Sequence, residues 1–342
     1  MAYTTIDDPL DYFNTVLYVG NQSTNNITGV GFQPDWVWLK DRDVAEHHNL
    51  YDVVRGTPVA IRTSMANPEG ADVNGLTSFN SDGFTLGNGT NQNLNNSKFV
   101  SWNWKVGGSA SNNTDGNTTT SVSVNQTAGI SIMTWAGDGN ESTIGHGLGA
   151  SPEYIIFKER DGGESWRVWS KYTPDTASKA LALNLADAAF SQTNWIGTIS
   201  NSIITIGSDS SINTSGNNYV AYAFSPIKGY SKFGSYKGNG NADGAFVYTG
   251  FSPSMVIFKN TGASQDWVIK DNKRPGFNQV NDVLYPNGAY AEGHGADIDF
   301  VSNGFKCRTT AANTNQNGST FIYMAFAESP FVNSSGIPTT AR

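Results

Sequence analysis

The sequence predicts an all-β protein of three tandem, homologous β-sandwich domains with a jelly-roll-like strand order. The composition is only 15% charged and rich in Gly, Asn, Ser and Thr, with 12% aromatic residues. It favours many short strands joined by polar turns over helices. A motif with Gly three residues before Pro, and Lys six residues after it, occurs at Gly31/Pro34/Lys40, Gly149/Pro152/Lys158 and Gly250/Pro253/Lys259. Such fixed repeats indicate one structural unit per copy.

The similarity between the copies extends well beyond this motif. Each copy ends in a closing strand-like segment, at 99–104, 219–224 and 321–326. Fourteen residues after the motif proline, the copies have His48, Trp166 and Trp267. A little further on, the first and third copies have an Asp and an Arg three residues apart, and the second has Ser and Thr, at Asp52/Arg55, Asp271/Arg274 and Ser170/Thr173. The three copies are therefore expected to share one fold.

These repeats divide the chain into six parts. They are an N-terminal arm (1–14), repeat 1 (15–106), a linker (107–128), repeat 2 (129–228), repeat 3 (229–330) and a C-terminal tail (331–342). The linker is assigned because its Gly, Ser, Asn and Thr residues are typical of flexible connections. The arm is either a docking segment or a terminus that lies along the first repeat.

The strands of each repeat are predicted from their patterns. The runs 15–20, 130–135 and 232–236 precede turns of Gly and Asn and predict an opening hairpin, because these residues accept the positive φ of tight turns. The run after each motif proline is apolar on both faces and predicts a central strand. The closing segment alternates large with small or polar residues, which predicts packing on a core from one side.

The middle of each repeat is the least regular part. Residues 177–190 are rich in Ala and Leu and could form a helix, but the matching parts of the other copies contain Pro286 and β-branched residues. The sequence therefore predicts a strand at 179–185 followed by a short helical turn.

Charge and cysteine content exclude several classes of function. The net charge is −8 and no basic run exists, so neither nucleic acid nor an anionic membrane is an expected partner. Cys307 is the only cysteine, which excludes an intrachain disulfide and a cysteine-based zinc site within one subunit; its strand-like context predicts a buried thiol. No apolar run of membrane-spanning length and no secretory signal is visible, so the chain is expected to be made in the cytoplasm without membrane insertion.

No catalytic, cofactor or metal motif is present, and no catalytic, cofactor-binding or metal residue is predicted. His47 and His48 are adjacent and would point to opposite faces of a strand, so surface histidines are favoured over a metal site. Residues 239–244 partly match a calcium loop, but Gly250 stands where such a loop needs a bidentate Glu. A hairpin turn is the favoured interpretation there.

Three further sets of residues allow a structural or a functional interpretation. The pairs Asp52/Arg55 and Asp271/Arg274 are interpreted as structural salt bridges in preference to a carbohydrate or carboxylate contact. Trp166 and Trp267 are interpreted as core residues in preference to sugar-stacking platforms. An Asn six residues before each closing segment is expected to hold a turn, at Asn93, Asn213 and Asn315.

Several longer stretches resemble a repeat family found in virion proteins of marine bacteriophages, in particular those of cyanobacteria. They are 1–9 (MAYTTIDDP), 34–42 (PDWVWLKDR), 52–56 (DVVRG), 78–87 (SFNSDGFTLG), 100–105 (VSWNWK) and 229–240 (GYSKFGSYKGNG). The resemblance covers residues 1–330 and implies a tail-fibre-like or other structural protein of the virion. Its motifs are structural, so it implies no reaction and carries over no functional residue.

Three functions remain open at this stage. The primary expectation is a non-enzymatic, tail-associated appendage for host adhesion, with other virion proteins and a host polysaccharide or receptor as partners. The first alternative is a capsid decoration protein and the second a surface-glycan depolymerase, for which no convincing carboxylate pair is visible. Assembly into a homotrimer is compatible with these roles. The three repeats could form a pseudo-threefold unit or a row of beads.

Overall fold

The computed structural model describes residues 2–339, and these residues form an all-β protein, as the sequence predicts. Its sheets are antiparallel throughout. Within this range, helices are limited to single turns: a 3-10 turn (Pro9–Asp11), α1 (Thr90–Asn93), α2 (Ser210–Asn213) and α3 (Ala312–Asn315).

Repeat 1 is built from a larger and a smaller sheet. Its strands are β1 (Phe13–Val19), β2 (Asn25–Ile27), β3 (Trp36–Asp41), β4 (Asn49–Asp52), β5 (Val59–Arg62), β6 (Gly70–Ala71), β7 (Leu76–Asn80), β8 (Gly83–Leu86) and β9 (Lys98–Trp104). The larger sheet has the order β1-β9-β3-β4-β5-β6 and the smaller one β2-β8-β7.

Repeat 2 has the same two sheets with an addition at one edge. Its strands are β10 (Ser111–Asn113), β11 (Thr120–Asn125), β12 (Ile130–Ala136), β13 (Ser142–Gly145), β14 (Tyr154–Glu159), β15 (Arg167–Ser170), β16 (Lys179–Ala180), β17 (Phe190–Ser191), β18 (Ile196–Ile199), β19 (Ile203–Ile206) and β20 (Asn218–Phe224). The larger sheet is β10-β11-β12-β20-β14-β15 and the smaller one β13-β19-β18, with β16 and β17 paired separately.

Repeat 3 completes the set. Its strands are β21 (Ser231–Lys237), β22 (Phe246–Tyr248), β23 (Phe251–Asn260), β24 (Val268–Asp271), β25 (Val280–Val283), β26 (Gly293–Val301), β27 (Gly304–Cys307) and β28 (Thr320–Pro330). The two sheets are β21-β28-β23-β24 and β22-β27-β26-β25.

All three repeats share a jelly-roll-like pairing. The opening strand pairs with the closing strand, as in β1 with β9, and the second strand pairs with the last but one, as in β2 with β8. The predicted opening hairpin is therefore wrong: the first two strands of each repeat lie in different sheets, and the Gly- and Asn-containing loop connects the two sheets. The two sheets enclose a hydrophobic core; in repeat 1 it contains Val37 and Leu39 from the larger sheet and Phe84 and Leu86 from the smaller one. Each repeat is thus a sandwich of two sheets.

The repeated Gly-Pro-Lys motif has a structural role at each of its positions. The glycine has positive φ in every copy, with values of 89°, 70° and 87° at Gly31, Gly149 and Gly250. A side chain at that φ would be strained, which accounts for the glycine. The motif prolines are buried; Pro34 and Pro152 precede β3 and β14, and Pro253 lies near the start of β23. The motif lysines lie near the ends of these strands.

The sequence predictions for two segments are wrong. The segment 107–128, expected as a flexible linker, contains β10 and β11, which pair with each other and extend the sheet of repeat 2. The strand expected at 179–185 covers only Lys179–Ala180 plus a bridge from Leu181 to Val168, and a single hydrogen-bonded turn, from Leu185 N–H to the Ala182 carbonyl (3.4 Å), follows it within the rest of the predicted strand. The composition of 107–128 wrongly suggested a linker, because Ser and Thr alternate with Val in β11. This alternating pattern forms a paired strand as readily as a more apolar one.

The closing strands are also covered on both faces, which contradicts the prediction of one-sided packing. In β20, the small residues Ala221 and Ala223 face the core of their own sandwich, whereas Tyr222 and Phe224 face the other repeats. All four residues are fully buried. The apolar strands β3, β14 and β23 are interior strands of their sheets with every residue but Ser252 buried, as predicted for central strands.

One large hydrophobic core joins the three repeats. The outward faces of the three sheets that contain the closing strands β9, β20 and β28 meet there, and Trp36 of repeat 1 stacks on Tyr222 of repeat 2 with ring centroids 4.6 Å apart. Phe326 of repeat 3 packs edge-on against Phe224 of repeat 2 at 6.1 Å and stacks on Phe13 of repeat 1 at 5.2 Å. Aromatic side chains contribute most of the apolar area in such cores, so the repeats form one folded unit.

The N-terminal segment lies on repeat 3. The Tyr3 hydroxyl donates a 2.8 Å hydrogen bond to the Gly250 carbonyl, and Asp7 accepts hydrogen bonds from Ser334 in the tail. The expectation of a terminus along the first repeat is therefore wrong. The segment brings the described ends of the chain together, and β1 begins at Phe13, two residues before the predicted start of repeat 1.

Candidate functional site

The three repeats close into a ring in which each makes the same backbone contact with the next. The hydrogen bonds run from Glu69 N–H to the Arg160 carbonyl (2.9 Å), from Ala189 N–H to the Thr261 carbonyl (2.9 Å) and from Glu292 N–H to the Arg42 carbonyl (2.7 Å). Because equivalent contacts return to the first repeat after three steps, the repeats are related by a pseudo-threefold rotation. The structure therefore has the pseudo-threefold arrangement and not the row of beads.

A second contact joins the repeats through the tryptophans that the sequence singled out. The indole N–H of Trp166 donates to the Arg62 carbonyl of repeat 1 at 2.9 Å, and that of Trp267 donates to the Ala182 carbonyl of repeat 2 at 2.8 Å. Both indoles are fully buried, so they are core residues, as predicted, and not sugar-stacking platforms.

His48 occupies the equivalent position of repeat 1. Its Nδ1 accepts a 2.9 Å hydrogen bond from the indole N–H of Trp38. Burial lowers the pKa of this imidazole well below its usual value, although the backbone of Tyr285 in repeat 3 acts in the opposite direction. His48 is therefore a neutral core residue at the interface between repeats 1 and 3, and the prediction of a surface histidine is wrong at this position. His47 is half-buried and hydrogen-bonded to Ser64 at 2.8 Å.

The two predicted Asp–Arg pairs are fully buried salt bridges at two of the three interfaces. In each pair, the arginine Nε lies 2.6 Å from the aspartate Oδ2, as in Arg55 with Asp52. Each aspartate also accepts a hydrogen bond from the neighbouring repeat. Tyr222 donates to Asp52 at 2.8 Å, and the Trp102 indole donates to Asp271 at 3.1 Å. The structural interpretation of these pairs is confirmed.

Each salt bridge continues into a network that crosses the interface. Glu69 lies 3.4 Å from Arg55 within repeat 1 and 2.7 Å from Arg160 in repeat 2. Glu292 likewise lies 2.9 Å from Arg274 within repeat 3, and its second partner is Arg42 of repeat 1 at 2.6 Å. A buried charge is tolerated only when it is paired and hydrogen-bonded, and these networks supply both partners.

The third interface, between repeats 2 and 3, lacks every member of this network. The equivalent positions are occupied by Ser170, Thr173, Ala189, Thr261 and Met324. Loss of a single member would leave a buried charge without its partner, which destabilises strongly. The network is therefore either complete or absent at each interface.

Electrostatics support a structural role for these groups. Burial alone would lower the pKa of Arg55, but Asp52 reverses the effect and the pKa rises above its usual value. Burial raises the pKa of the Tyr222 hydroxyl well above its usual value, so this hydroxyl remains a hydrogen-bond donor. Neither group is available to a substrate, because both are sealed between two repeats.

The motif lysines close the loops that follow β3, β14 and β23. The ammonium of each lysine donates to the carbonyl of the next residue and to that of the residue four positions on. The second acceptors are Val44 for Lys40 (3.2 Å), Gly162 for Lys158 (3.4 Å) and Ala263 for Lys259 (3.5 Å). Burial lowers the pKa of each lysine to about 8.

Three equivalent asparagines hold the first loop of each repeat, as the sequence predicts. Asn213 accepts from the backbone N–H of Asp138 at 3.0 Å and donates to Asn140 and Gly207 carbonyls. The same contacts recur around Asn93 and Asn315. Each of the three asparagines is buried. One buried asparagine side chain therefore holds each of the three loops, which are 20–26, 137–141 and 238–244.

The pseudo-threefold rotation places these three loops at the same end of the molecule. Their tips are exposed and polar, as at Thr24, Asn140 and Asn241. Loops anchored on a rigid scaffold are a frequent location of binding surfaces. This crown of three loops is the first candidate functional site.

A cleft of about 990 Å³ in repeat 3 is the second candidate site. It lies at the opposite end of β23 and β28 from the loop crown and is lined by Lys273, Phe277 and Glu328, among others. The Phe277 ring is 83% exposed. Glu328 is the only carboxylate among the described lining residues, so the cleft does not supply the two carboxylates of a glycoside hydrolase.

The remaining sequence candidates are engaged in the fold. Asp243 of the calcium-like loop is paired with Lys306 at 2.5 Å, and Asn239 and Asn241 accept backbone N–H groups of the same turn. This turn joins β21 to β22, which lie in different sheets, so the predicted hairpin turn is wrong. Cys307 is a free, buried thiol, as predicted. Over residues 2–339, no group of His, Cys, Asp and Glu side chains has the arrangement of a metal site, and no helix is long and apolar enough to span a membrane.

Fold and contacts define a class of protein: an all-β unit of three homologous sandwiches around a shared aromatic core. A family model for a domain of unknown function (DUF7483) matches residues 8–330, and the chain belongs to this family. The match includes all three repeats. No curated protein and no solved structure matches the chain.

Sequence reasoning missed the partners that lie in another repeat. Glu69 and Glu292 occur at matching places, but the alignment of the middle segments is too irregular to show it. A different part of the sequence does carry a signal: Trp102 of repeat 1 and Tyr222 of repeat 2 occupy the position in the closing segment that Met324 occupies in repeat 3. Repeat 1 thus has both the Asp and the polar aromatic residue, repeat 2 has only the aromatic residue, and repeat 3 has only the Asp. A ring of repeats explains this pattern, because each Asp then meets the aromatic residue of a neighbouring repeat.

Proposed function

We propose that this protein is a non-enzymatic structural protein of a bacteriophage virion, and that it is a tail-associated appendage for adhesion to the host cell. The single observation that carries the adhesion role is the crown of three equivalent loops at one end of a rigid unit. The virion assignment rests on the sequence resemblance of residues 1–330.

The composition of the loop crown supports a polysaccharide as the ligand. The three loops carry exposed amides and hydroxyls, including Asn21, Thr24, Asn140 and Asn241. Such groups hydrogen-bond sugar hydroxyls without requiring a charged ligand. The buried asparagines fix the loops before binding, which reduces the entropy lost on association.

Three loops on one rigid body also favour a repetitive ligand. When several weak sites engage one polymer, the later contacts are intramolecular and the overall affinity rises without any new contact. A cell-surface polysaccharide presents the same unit many times. The pseudo-threefold crown suits such a ligand better than a single deep pocket would.

Location on the particle is tested by immunogold labelling of intact virions with antibody against this chain. Label on the tail supports the proposal. Label over the head favours the alternative, a capsid decoration protein, and absence of label from virions would refute the virion assignment.

The loop crown is tested by binding of the purified protein to host cells. The variant Thr24→Arg/Glu141→Arg/Ala242→Arg places a large cation on each loop, at exposed positions whose side chains make no hydrogen bond in the described structure. Binding should fall much more in this variant than in any of the single variants. The control Val73→Arg/Thr127→Arg/Ser335→Arg alters exposed positions outside the loops and should bind normally. Equal binding by both triple variants would refute the role of the crown.

A further inference from the structure

The outer edge of β1 is an unpaired strand edge. β1 is the terminal strand of its sheet and pairs only with β9. The hydrogen bonds that flank the ladder join Tyr12 with Lys105 and Gly20 with Ser97. The alternation of an antiparallel ladder then directs the backbone groups of Thr15 and Leu17 away from β9. Among residues 2–339, no strand pairs with this edge.

In repeat 2 the equivalent edge is covered by a strand of the chain itself. β11 lies antiparallel along β12 and places Ser123 opposite Ile132 and Ser121 opposite Thr134. Because Phe13 and Ile130 occupy the same position relative to their closing strands, Ile132 and Thr134 correspond to Thr15 and Leu17. The segment before repeat 1 does not make this contact, since it lies on repeat 3.

Burial shows that the uncovered edge leaves apolar side chains exposed. In β12, whose edge β11 covers, Met133 is 0% exposed and Trp135 is only 3% exposed. Their counterparts Val16 and Tyr18 in β1 are only half-buried. On the other face of β1, Leu17 is 39% and Val19 is 57% exposed.

β1 also lacks the protection that the third equivalent strand carries. β21 is a terminal strand too, but Lys232 and Lys237 flank a glycine in it. Charged residues, lysine above all, discourage strand addition at free edges. β1 contains no charged residue, and in this it resembles the covered strand β12.

We propose that the edge of β1 binds an extended, uncharged segment of a partner protein in which valine alternates with serine or threonine. The segment adds to the sheet as an antiparallel strand, in the way that β11 adds to β12. Its backbone pairs with the exposed Leu17, and with Thr15 once the groups that leave this residue only 4% exposed are displaced. Its first valine lies opposite Val16, as Val122 lies opposite Met133, and its second lies opposite Asn14, as Val124 lies opposite Ser131. Strand addition of this kind draws affinity from the backbone and specificity from alternate side chains. The proposal is independent of the adhesion role.

The probe is a labelled, end-capped peptide with the sequence of residues 119–126, TTSVSVNQ, titrated against the full chain by fluorescence polarisation. The peptide should bind. Methylation of the Ser121 and Ser123 nitrogens, which face β12 in the chain's own pairing, should weaken binding at least tenfold. Methylation of the Val122 and Val124 nitrogens, which face away from β12, should leave it unchanged. Equal effects of the two methylations would refute strand addition.

The edge itself is tested with Leu17→Pro, which removes an outward N–H but no hydrogen bond to β9. This variant should not bind the peptide, whereas Ser235→Pro at the equivalent position of β21 should leave binding unchanged. Peptide binding that survives Leu17→Pro would assign the peptide to another edge and refute the proposal. If Leu17→Pro does not fold, the comparison of the two methylated peptides still tests whether the peptide adds as a strand. A native chain that dimerises in light scattering through β1 but ignores the peptide would make a second copy the occupant and overturn the proposal.

Discussion

The hydroxyl of Tyr222 in repeat 2 donates a 2.8 Å hydrogen bond to Oδ2 of Asp52 in repeat 1, across 170 positions of sequence. The same Asp52 oxygen lies 2.6 Å from the Nε of Arg55. An ion pair within one repeat is thus completed by a neutral donor from the next repeat. Folding of each repeat and docking between the repeats therefore depend on the same buried atoms.

Removal of the Tyr222 hydroxyl should destabilise the whole protein. Tyr222→Phe keeps the ring that stacks on Trp36 but removes a donor to a buried carboxylate, at an expected cost of about 1.5–3 kcal/mol in the free energy of unfolding. The matched control is Tyr230→Phe, because the Tyr230 hydroxyl is buried and has no hydrogen-bond partner among the described residues. Urea unfolding should show little change, or a slight stabilisation, for the control. Equal destabilisation of both variants would contradict the role of the Tyr222 hydrogen bond.

Asp271 and Arg274 should be energetically coupled, because removal of either one leaves the other charge buried without its partner. Asp271→Ala leaves Arg274 buried without its nearest carboxylate and should lower the free energy of unfolding by about 3–5 kcal/mol. The double variant Asp271→Ser/Arg274→Thr reproduces the pair found in repeat 2. It should be less destabilised than the sum of its single variants, because the interaction between the two residues is counted only once.

The double-mutant cycle distinguishes this view from a ligand-binding role for Asp271. If the pair is structural, folded protein of each variant should adhere to host cells as native protein does. A variant of native stability that no longer adheres would reverse the interpretation.

The strand pattern of the protein could be predicted from sequence, and its assembly only in part. The triple motif predicted three equivalent units, and positive φ at Gly31, Gly149 and Gly250 accounts for its glycines. The arrangement of the units depends on side chains of different repeats, such as Glu69 and Arg160, whose contact no local pattern encodes. The alternation of large and small residues in β20 was visible, but it does not reveal that a second core covers the large face.

The candidate sites show the same division. The role of Asn93, Asn213 and Asn315 in holding turns was predictable, because their spacing from the closing segment is constant. That the three loops share one end of the molecule was not predictable, since it follows from ring closure. The cleft beside Phe277 lies between segments that are far apart in the chain, from 252 to 339, and no motif marks it.

The anchored loops give a prediction that repeats three times. Asn93→Ala, Asn213→Ala and Asn315→Ala each remove a buried amide that makes hydrogen bonds to backbone groups of its loop, and each should cost about 2–3 kcal/mol in stability, since a buried group left unpaired costs about 1–3 kcal/mol. Similar values at the three positions, measured by urea unfolding, would reflect the pseudo-threefold equivalence. Asn95→Ala, an exposed asparagine in the same segment as Asn93, is the control and should be neutral. A large effect at only one of the three anchors would contradict their equivalence.

The stability of the protein should rise as the pH is raised from 7 to about 9.5. Burial lowers the pKa of Lys40, Lys158 and Lys259 from the ordinary 10.5 to about 8, and that of Lys270 to about 7. Between these values and 10.5 the unfolded chain binds more protons than the folded protein, so the free energy of unfolding increases with pH. Above pH 10 the trend should reverse, because burial raises the pKa of tyrosines such as Tyr222, and the unfolded chain then loses protons that the folded protein keeps.

The contribution of one lysine can be isolated with Lys259→Met, which retains the apolar stem and removes the amine. Urea unfolding between pH 7 and 9.5 should show a shallower rise for this variant than for the native protein. Lys237→Met alters an exposed lysine in β21 and should keep the native slope. The Lys259 side-chain nitrogen also donates hydrogen bonds to the carbonyls of Asn260 and Ala263. At pH 9.5 the native amine is neutral but still donates these bonds, so the variant should be less stable than the native protein at that pH. A native slope in Lys259→Met, or a stability that falls from pH 7 to 9.5 in the native protein, would show that these lysines do not control the pH dependence.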